Sequence, residues 1–600
     1  MPSEPRYVTL PELFAGTLFR VPDYQRGYAW SQRQLQDLWS DLALLDDRTQ
    51  HFMGMVVVEP HDDSPRHHRR EMRSYRVLQI IDGQQRLTSL VLLMGAIVRH
   101  MESHGDDLAK EQAAGLRRTY LGESGWRRLG LNEDSRDFFE HLLATGEAPV
   151  VAENGSQANL RQAHAFFDAR LTDVDAARVM AMRLQSNLRF VFYEVDDDAE
   201  AGLIFEVMNN RGKPLSQADR LKNYQMYLAH KVGMSGEAVR AVARRWGQVF
   251  KHVMQASPDG TSRDSEDRLL ANHWILFKEA QAPKSLRGLS FSQRVRHHML
   301  LTPAADTSER IARDTALQQK IEDYTVSLVT SAGDFAELFN PAGPHALGWV
   351  ADPVLRDRIR RGLLSFHRMG HFSTVVPLLM AGRRRLGDHP EAFDALVDLL
   401  SRYSFRVYAM CNRRGYAGQP HFRRQARRLF MATQDELEAR LEELLADIRV
   451  WIGWYGNDTQ LEEMLRDENF YNSHSAREMR YLFYEYEEHL CGSQAPSMDW
   501  TTFADSRKTQ VEHIFPKKGA SLLGGSKSRH DKNVHRLGNL TVSHFNQRLG
   551  TKSFTDKKPI YRQSSLLIES SLARKRTWGL PAIDRREDEL VAFVMERWAV

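Results

Sequence analysis

"RVLQIIDGQQRLTSL" (Arg76–Leu90) joins two kinds of local structure through a short polar block. Val77, Leu78, Ile80 and Ile81 read as a short buried strand, Gly83 permits a tight turn, and Leu87 to Val98 reads as a helix packed on a sheet. Asp82, Gln84, Gln85 and Arg86 therefore fall at a strand-to-helix turn. A helix N-terminus presents free N–H groups and the positive end of a dipole. A carboxylate, two amides and a guanidinium gathered there suit an anion accompanied by a metal ion.

Outward from this turn, residues 1–235 mix strand and helix patterns. "HFMGMVVVEP" and "RFVFYEV" are strand-like, and the basic "PRHHRREMRSY" reads as a hairpin loop leading to the strand before Asp82. "SQRQLQDLWSDLALL" reads as a helix capped by Ser31, and "AEAGLIFEVMNN" as another after the acids Asp196 to Asp198. The expected fold is an α/β domain with a small sheet. Over 236–490 strand signals nearly vanish. "TQDELEARLEELLADIRVWIGWYG" opens on a capping box, Thr433 to Glu436, and carries Leu437, Leu441, Leu444, Leu445 and Ile448 at helical spacing. "DRIRRGLLSFHRM" and "AREMRYLFYEYEEHL" behave alike, so the middle is expected to be a helical linker domain. "CGSQAPSMD" separates it from a third domain, 491–600. The whole is an α+β multidomain chain, because 600 residues exceed what a single core organises.

Composition narrows the function classes. With 42% hydrophobic and 27% charged residues the chain is an ordinary folded protein. Its two cysteines, Cys411 and Cys491, support neither a disulfide framework nor a thiolate zinc site, and a reducing cytoplasm fits. No apolar run is long enough to span a bilayer, so no membrane partner is expected. The net charge of +4 conceals an uneven distribution: Arg507 to Arg562 holds 13 Lys or Arg against 3 acids. That excess of 10 points to a polyanion bound at one end of the chain. The Arg-rich "NRRGYAGQPHFRRQARR" (Asn412 to Arg428) either extends the same track or is a solvated helix face.

Within the basic segment, "QVEHIFPKK" reads as a strand stopped by Pro516, "HRLGNLTV" as a second strand, and "SHFNQRL" as the start of a helix with Ser543 at its N-cap. An acid–His pair stands at the front of this strand–loop–strand–helix order and Asn546 at its back. The order resembles the ββα-metal fold of His-Asn-His (HNH) nucleases. Phosphodiester hydrolysis needs a base to deprotonate water and a cation to hold the phosphate and leaving oxygens. His513 suits the base, since imidazole titrates near neutral pH. Glu512 and Asn546 are hard oxygen donors that favour Mg²⁺ or Mn²⁺. The resemblance gives Asn539 the role of holding the loop that orients His513. Lys517, Lys518, Arg536, Arg548 and Lys552 are the expected phosphate contacts. A zinc site built from His513, His530, His535 and His544 is the competing reading.

"VPDYQRGYAW" (Val21 to Trp30), "IDGQQRLTSL" and "FEVMNNRGKPLSQADRLKN" (Phe205 to Asn223) together resemble the N-terminal domain of GmrSD-type, modification-dependent (type IV) restriction enzymes, whose fold is similar to ParB and sulfiredoxin. The C-terminal "HIFP", "GNL" and Asn546 resemble the nuclease domain of that family. The resemblance implies a first domain that binds and hydrolyses a nucleoside triphosphate, with GTP, ATP, CTP and UTP not distinguished, and a last domain that nicks or cuts modified double-stranded DNA of phage. It further implies that Asp82 serves the metal or attacking water, that Gln84, Gln85 and Arg86 hold phosphates, that Tyr24, Gln25 and Arg26 lie near the same pocket or a DNA-sensing surface, and that Asn209, Arg211 and Gly212 line the pocket from the other side. A homodimer is left open. The rival functions are a nucleotide-switched DNA-binding module with an inactive nuclease fold and an RNA-cutting toxin-like nuclease.

Overall fold

The structure is a computed structural model that describes residues 5–600 apart from 47–48, 61–66, 71–72, 124–125, 196–215, 258–261, 279–287, 345 and 519–521. Two compact units emerge, Met1–Ala346 and Leu347–Val600, so the helical stretch from 236 is shared between them.

The first unit is organised by a mixed sheet. Its strands are β1 (Arg6–Thr9), β2 (Thr17–Arg20), β3 (His51–Pro60), β4 (His67–Arg70) and β5 (Arg73–Asp82), followed by a small ribbon, β6 (Gly122–Glu123) and β7 (Trp126–Arg127), then β8 (Leu129–Gly130) and β9 (Leu188–Glu194). The sheet order is β1-β9-β3-β5-β2-β8, with β4 pairing β5 and the ribbon standing apart. β5 is central: it pairs antiparallel with β3 and parallel with β2. Val56, Val57 and Val58 on β3 are all buried, which is why that strand shows a continuous apolar run rather than an alternation. The helix Gln84–His104 starts directly after β5 and buries Leu87, Leu90, Leu93 and Ile97 in the main core. Gly83 stands between strand and helix at φ 99°, and a Cβ there would lie 3.2 Å from the Met55 carbonyl oxygen. Only glycine turns the chain here without strain.

Parts of this unit differ from expectation. Part of the basic stretch read as a loop, 67–70, is a strand on β5, and a strand polar at every position carries no period to detect. β1 and β2 flank the short helix Leu10–Phe14, whose capping box pairs Thr9 with Glu12, and such short strands fall below what pattern reading resolves. The helix expected at "AEAGLIFEVMNN" lies outside the described residues.

In the second unit the helices Pro353–Met369, Leu437–Tyr455 and Ala476–Cys491 lie on the three amphipathic stretches. The capping box at Thr433 is only half made. Glu436 Oε2 accepts the Thr433 N–H at 3.2 Å, but the intervening residues form a turn and the helix begins at Leu437. Near the carboxyl end, β10 (Gln510–His513) pairs antiparallel with β11 (Leu540–Ser543), Glu512 facing Thr541 and His513 facing Leu540. The second strand is shorter than "HRLGNLTV" suggested, because Leu537–Asn539 makes a 3₁₀ turn that enters it. Ser543 ends β11 instead of capping a helix. Its Oγ accepts the Phe545 N–H at 2.9 Å, and the following helix is the four residues Asn546–Leu549. The order strand, strand, helix is nonetheless present. Ile514, Leu523, Tyr561 and Trp578 form the core beneath it.

Candidate functional sites

At the Asp82 turn the polar side chains mostly face inward. Gln85 Oε1 accepts the Ala29 N–H at 2.8 Å and its Nε2 donates to the Gly27 carbonyl at 3.1 Å. Gln84 donates to the Arg26 carbonyl at 3.3 Å, and Gln25 to the Ile81 carbonyl at 3.0 Å. Segment 21–30 is thereby laid along the sheet end by the amides of the motif. Arg86 Nη1 donates to the Met53 carbonyl at 2.7 Å and its Nη2 lies 3.3 Å from Asp82 Oδ2. The guanidinium covers Gly54, where β3 shifts register and where any side chain would collide with it. Asp82 and Arg86 keep side-chain exposures of 26% and 22%, so this pair still meets solvent. Burial raises the Asp82 pKa against the opposing Arg86 charge.

Arg26 belongs to a different kind of cluster. Its guanidinium bonds Asp219 Oδ2 at 2.5 Å, Ser216 Oγ at 2.8 Å and Glu266 Oε1 at 3.0 Å. Burial opposes its charge, yet the two carboxylates hold its pKa above the ordinary arginine value. Beside it, burial lowers the Lys222 ammonium to about 8, although Asp219 favours the charge. Lys222 sits over the Tyr24 ring at 4.9 Å, and Tyr24 donates to Glu59 at 2.8 Å. Arg26 is thus an internal strut tying segment 21–30 to two helices. Asn209, Arg211 and Gly212 lie outside the described residues.

The carboxyl-terminal constellation has another character. On β10, Glu512 Oε1 accepts from Lys557 Nζ at 2.6 Å, and the same ammonium donates to the His513 carbonyl at 2.7 Å. Lys557 is wholly buried. His513, next along the strand, projects to the opposite face. There its Nε2 lies 3.2 Å from His535 Nδ1, and the Tyr471 ring meets it edge-on with centroids 4.4 Å apart. Lys517 Nζ sits 4.8 Å above that Tyr471 ring. Burial, then Lys517, takes the His513 pKa down to about 3, so the imidazole is neutral. Asn539 pins the end of the strand: its Oδ1 accepts the Phe515 N–H at 2.8 Å and the Trp578 Nε1–H at 3.1 Å, while its Nδ2 donates to the Phe515 and Val534 carbonyls. Asn546 donates to Gln510, two residues before Glu512 and on its face, about 7 Å along the strand.

Two oxygens remain for a hard cation. Glu512 Oε2 and the Asn546 side-chain Oδ1 take no part in the bonds to Lys557 and Gln510, and carboxylate with amide oxygen is the donor chemistry Mg²⁺ or Mn²⁺ takes. The zinc alternative fares worse. His530 uses both ring nitrogens, with the Leu523 N–H and the Lys517 carbonyl, and His544 turns toward Glu569. No three of His, Cys, Asp and Glu among the described residues are placed to share a metal. Of the expected phosphate contacts, Lys517, Lys518, Arg548 and Lys552 are exposed. Arg536 instead pairs with Glu587 and with Asp584. The helix Leu580–Arg597 supplies both acids, a placement that spacing near Arg536 does not reveal.

Comparison with known families bears on both ends. The family model for the N-terminal domain of GmrSD restriction endonucleases matches residues 10–226, and that for their C-terminal domain matches 455–593. The chain carries both domains of a GmrSD restriction endonuclease. None of the curated proteins matches it. The N-terminal GmrSD match spans Tyr24 to Arg26, the Asp82 turn and Lys222. The C-terminal GmrSD match begins ahead of the basic segment and so takes in Tyr471. Among the described residues no helix is long and apolar enough to cross a membrane.

Sequence reading missed three participants in the GmrSD C-terminal site. Tyr471 lies some forty residues upstream in a helical stretch, Lys557 sits in a run of basic residues where one buried ammonium looks like any other, and His535 was considered only as a metal ligand. Glu569 is a further group near this site: it is fully enclosed, neither carboxylate oxygen has a hydrogen-bond partner of good geometry, and burial pushes its pKa up to about 7 despite the nearby Ser543 and Ser564 hydroxyls.

Proposed function

We propose that the protein is a nuclease of HNH type that hydrolyses the phosphodiester backbone of modified DNA, with His513 as general base. The observation that carries this reading is the His513 imidazole at the centre of a basic segment, kept neutral by burial and with no partner for its Nδ1 among the described residues. A neutral ring can take a proton from water, and a phosphate anion arriving beside it raises its basicity by opposing the lysine charges that lower it. Lys517 and Lys518 hold the backbone, and Asn539 keeps the strand end rigid. Glu512 and Asn546, the expected Mg²⁺ or Mn²⁺ ligands, lie across β10 from His513, so this arrangement does not bring an ion held by them to the phosphate that His513 would serve.

The test is nicking of supercoiled plasmid DNA, unmodified and carrying glucosylated, hydroxymethylated or phosphorothioate groups, with Mg²⁺ or Mn²⁺. His513→Ala should abolish strand breaks while retaining DNA binding. Breaks at the wild-type rate in that variant would remove the reading.

A nucleoside triphosphate at the N-terminal domain is the second part of the proposal. The half-exposed Asp82–Arg86 pair at the N-terminus of a 21-residue helix supports it, since a carboxylate, a guanidinium and free N–H groups meet there. Gln84, Gln85, Gln25 and Arg26 contribute by shaping the wall, because their side chains are engaged with the chain itself. Phosphate release from GTP, ATP, CTP and UTP, compared between wild type and Arg86→Ala, tests it.

A further inference from the structure

The general-base reading leaves open which nitrogen of His513 does the work and what keeps the ring in place. In many proteins a backbone carbonyl or carboxylate orients a histidine. Here the partner on Nε2 is another imidazole, His535 Nδ1, at 3.2 Å. The two rings cross nearly at right angles, 84°, with centroids 5.2 Å apart. Tyr471 closes the arrangement: it meets His513 edge-on and stacks on His535 at 5.6 Å and 20°. Its backbone N–H donates to the His535 carbonyl at 3.0 Å. Three aromatic rings from three separate segments thus brace one another.

We propose that His535 and Tyr471 are positioning residues that hold His513 in the tautomer protonated at Nε2, so that Nδ1 presents its lone pair to the attacking water. The inference rests on the general-base reading and deepens it. If two neutral imidazoles face each other through nitrogen, one must donate and the other accept. With His513 Nε2–H donating to His535 Nδ1, the proton of His535 resides on its own Nε2, and His535 is half-exposed, so that N–H can reach water. The reverse arrangement would put the His513 proton on Nδ1 and leave no lone pair at the nitrogen of that ring that has no partner among the described residues. Tyr471 prevents rotation about the His513 side chain, since swinging the ring would drive it into the Tyr471 face.

The proposal separates from a merely structural role by what is measured. Full-length protein with nicked-plasmid readout should show kcat reduced about 100-fold in His535→Ala with KM within about twofold. His535→Asn, whose amide oxygen can take the place of Nδ1 as acceptor, should recover most of that loss. Tyr471→Leu should fall between the two. Nitrogen chemical shifts of labelled histidine should show wild-type His513 protonated at Nε2 and unprotonated at Nδ1, with the two tautomers mixed in His535→Ala. A wild-type cutting rate in His535→Ala, with His513→Ala inactive, overturns the inference and spares the nuclease reading. Activity in His513→Ala overturns both. Should His535→Ala fail to fold, the wild-type shifts still decide, because a proton on Nδ1 of His513 refutes the assignment.

Discussion

The Asp82 turn and the Glu512–His513 strand are equally polar in sequence, but they use that polarity in opposite ways. At the turn four side chains, Gln25, Gln84, Gln85 and Arg86, bond backbone atoms of the same unit. On the strand, backbone is held by Asn539 and Lys557, and His513 keeps a nitrogen to offer. A dense polar motif can therefore be a way of building a wall or a way of meeting a substrate, and only the partners tell which. Buried amides that close backbone groups stabilise a shape. A neutral imidazole with one open nitrogen is able to accept a proton.

This contrast is open to being broken. The largest effect expected is at His513: replacement by alanine should lower nicking by about 10²- to 10⁴-fold with an unaltered melting transition, and a large loss of stability would instead place His513 with the wall-building residues. Next comes Arg26→Ala, which leaves Asp219 and Glu266 buried without their cation. Destabilisation of roughly 3–5 kcal/mol in denaturant unfolding is expected. Glu569→Gln should sharpen the picture of the strand's surroundings. The folded-state pKa of Glu569 is raised, so wild type is most favoured below the unfolded glutamate value and loses stability as pH rises toward about 7, by up to roughly 3 kcal/mol. The glutamine variant should lack that slope, and parallel pH profiles of the two proteins would deny it. Gln85→Ala strands the Ala29 N–H and the Gly27 carbonyl and should cost about 1–3 kcal/mol, measured the same way, with DNA binding unchanged. Smallest is Lys517→Ala: no shift in melting, and a salt dependence of DNA binding shallower by about 1 in slope.

What the sequence made legible follows from the range of the interactions involved. The strand, the Gly83 turn and the helix after it are local events, and alternation, a missing Cβ and a long apolar run announce them. The β10–β11 pair was visible for the same reason. Asn539 was placed through resemblance to a family, and its bonds to Phe515 and Trp578 supply the physical ground. Arg26 was read as a ligand because its partners Asp219 and Glu266 lie about two hundred residues away. Arg536 was read as a phosphate contact for an equivalent reason. Lys557 went unseen because exposure separates a surface lysine from a buried one, and exposure is a property of the fold. Long-range pairing decides which charged side chains are available, and spacing alone does not encode it.

Lys557 carries one more consequence, which concerns timing. The strand that bears Glu512 and His513 leaves the ribosome 45 and 44 residues ahead of the ammonium that will hold it, and Asn539 emerges 39 ahead of the indole it receives. A growing chain exposes this strand before the groups that organise it exist. If the strand is the hydrolytic one, as proposed, its organising contacts form only once the helix holding Lys557 and the segment around Trp578 have docked.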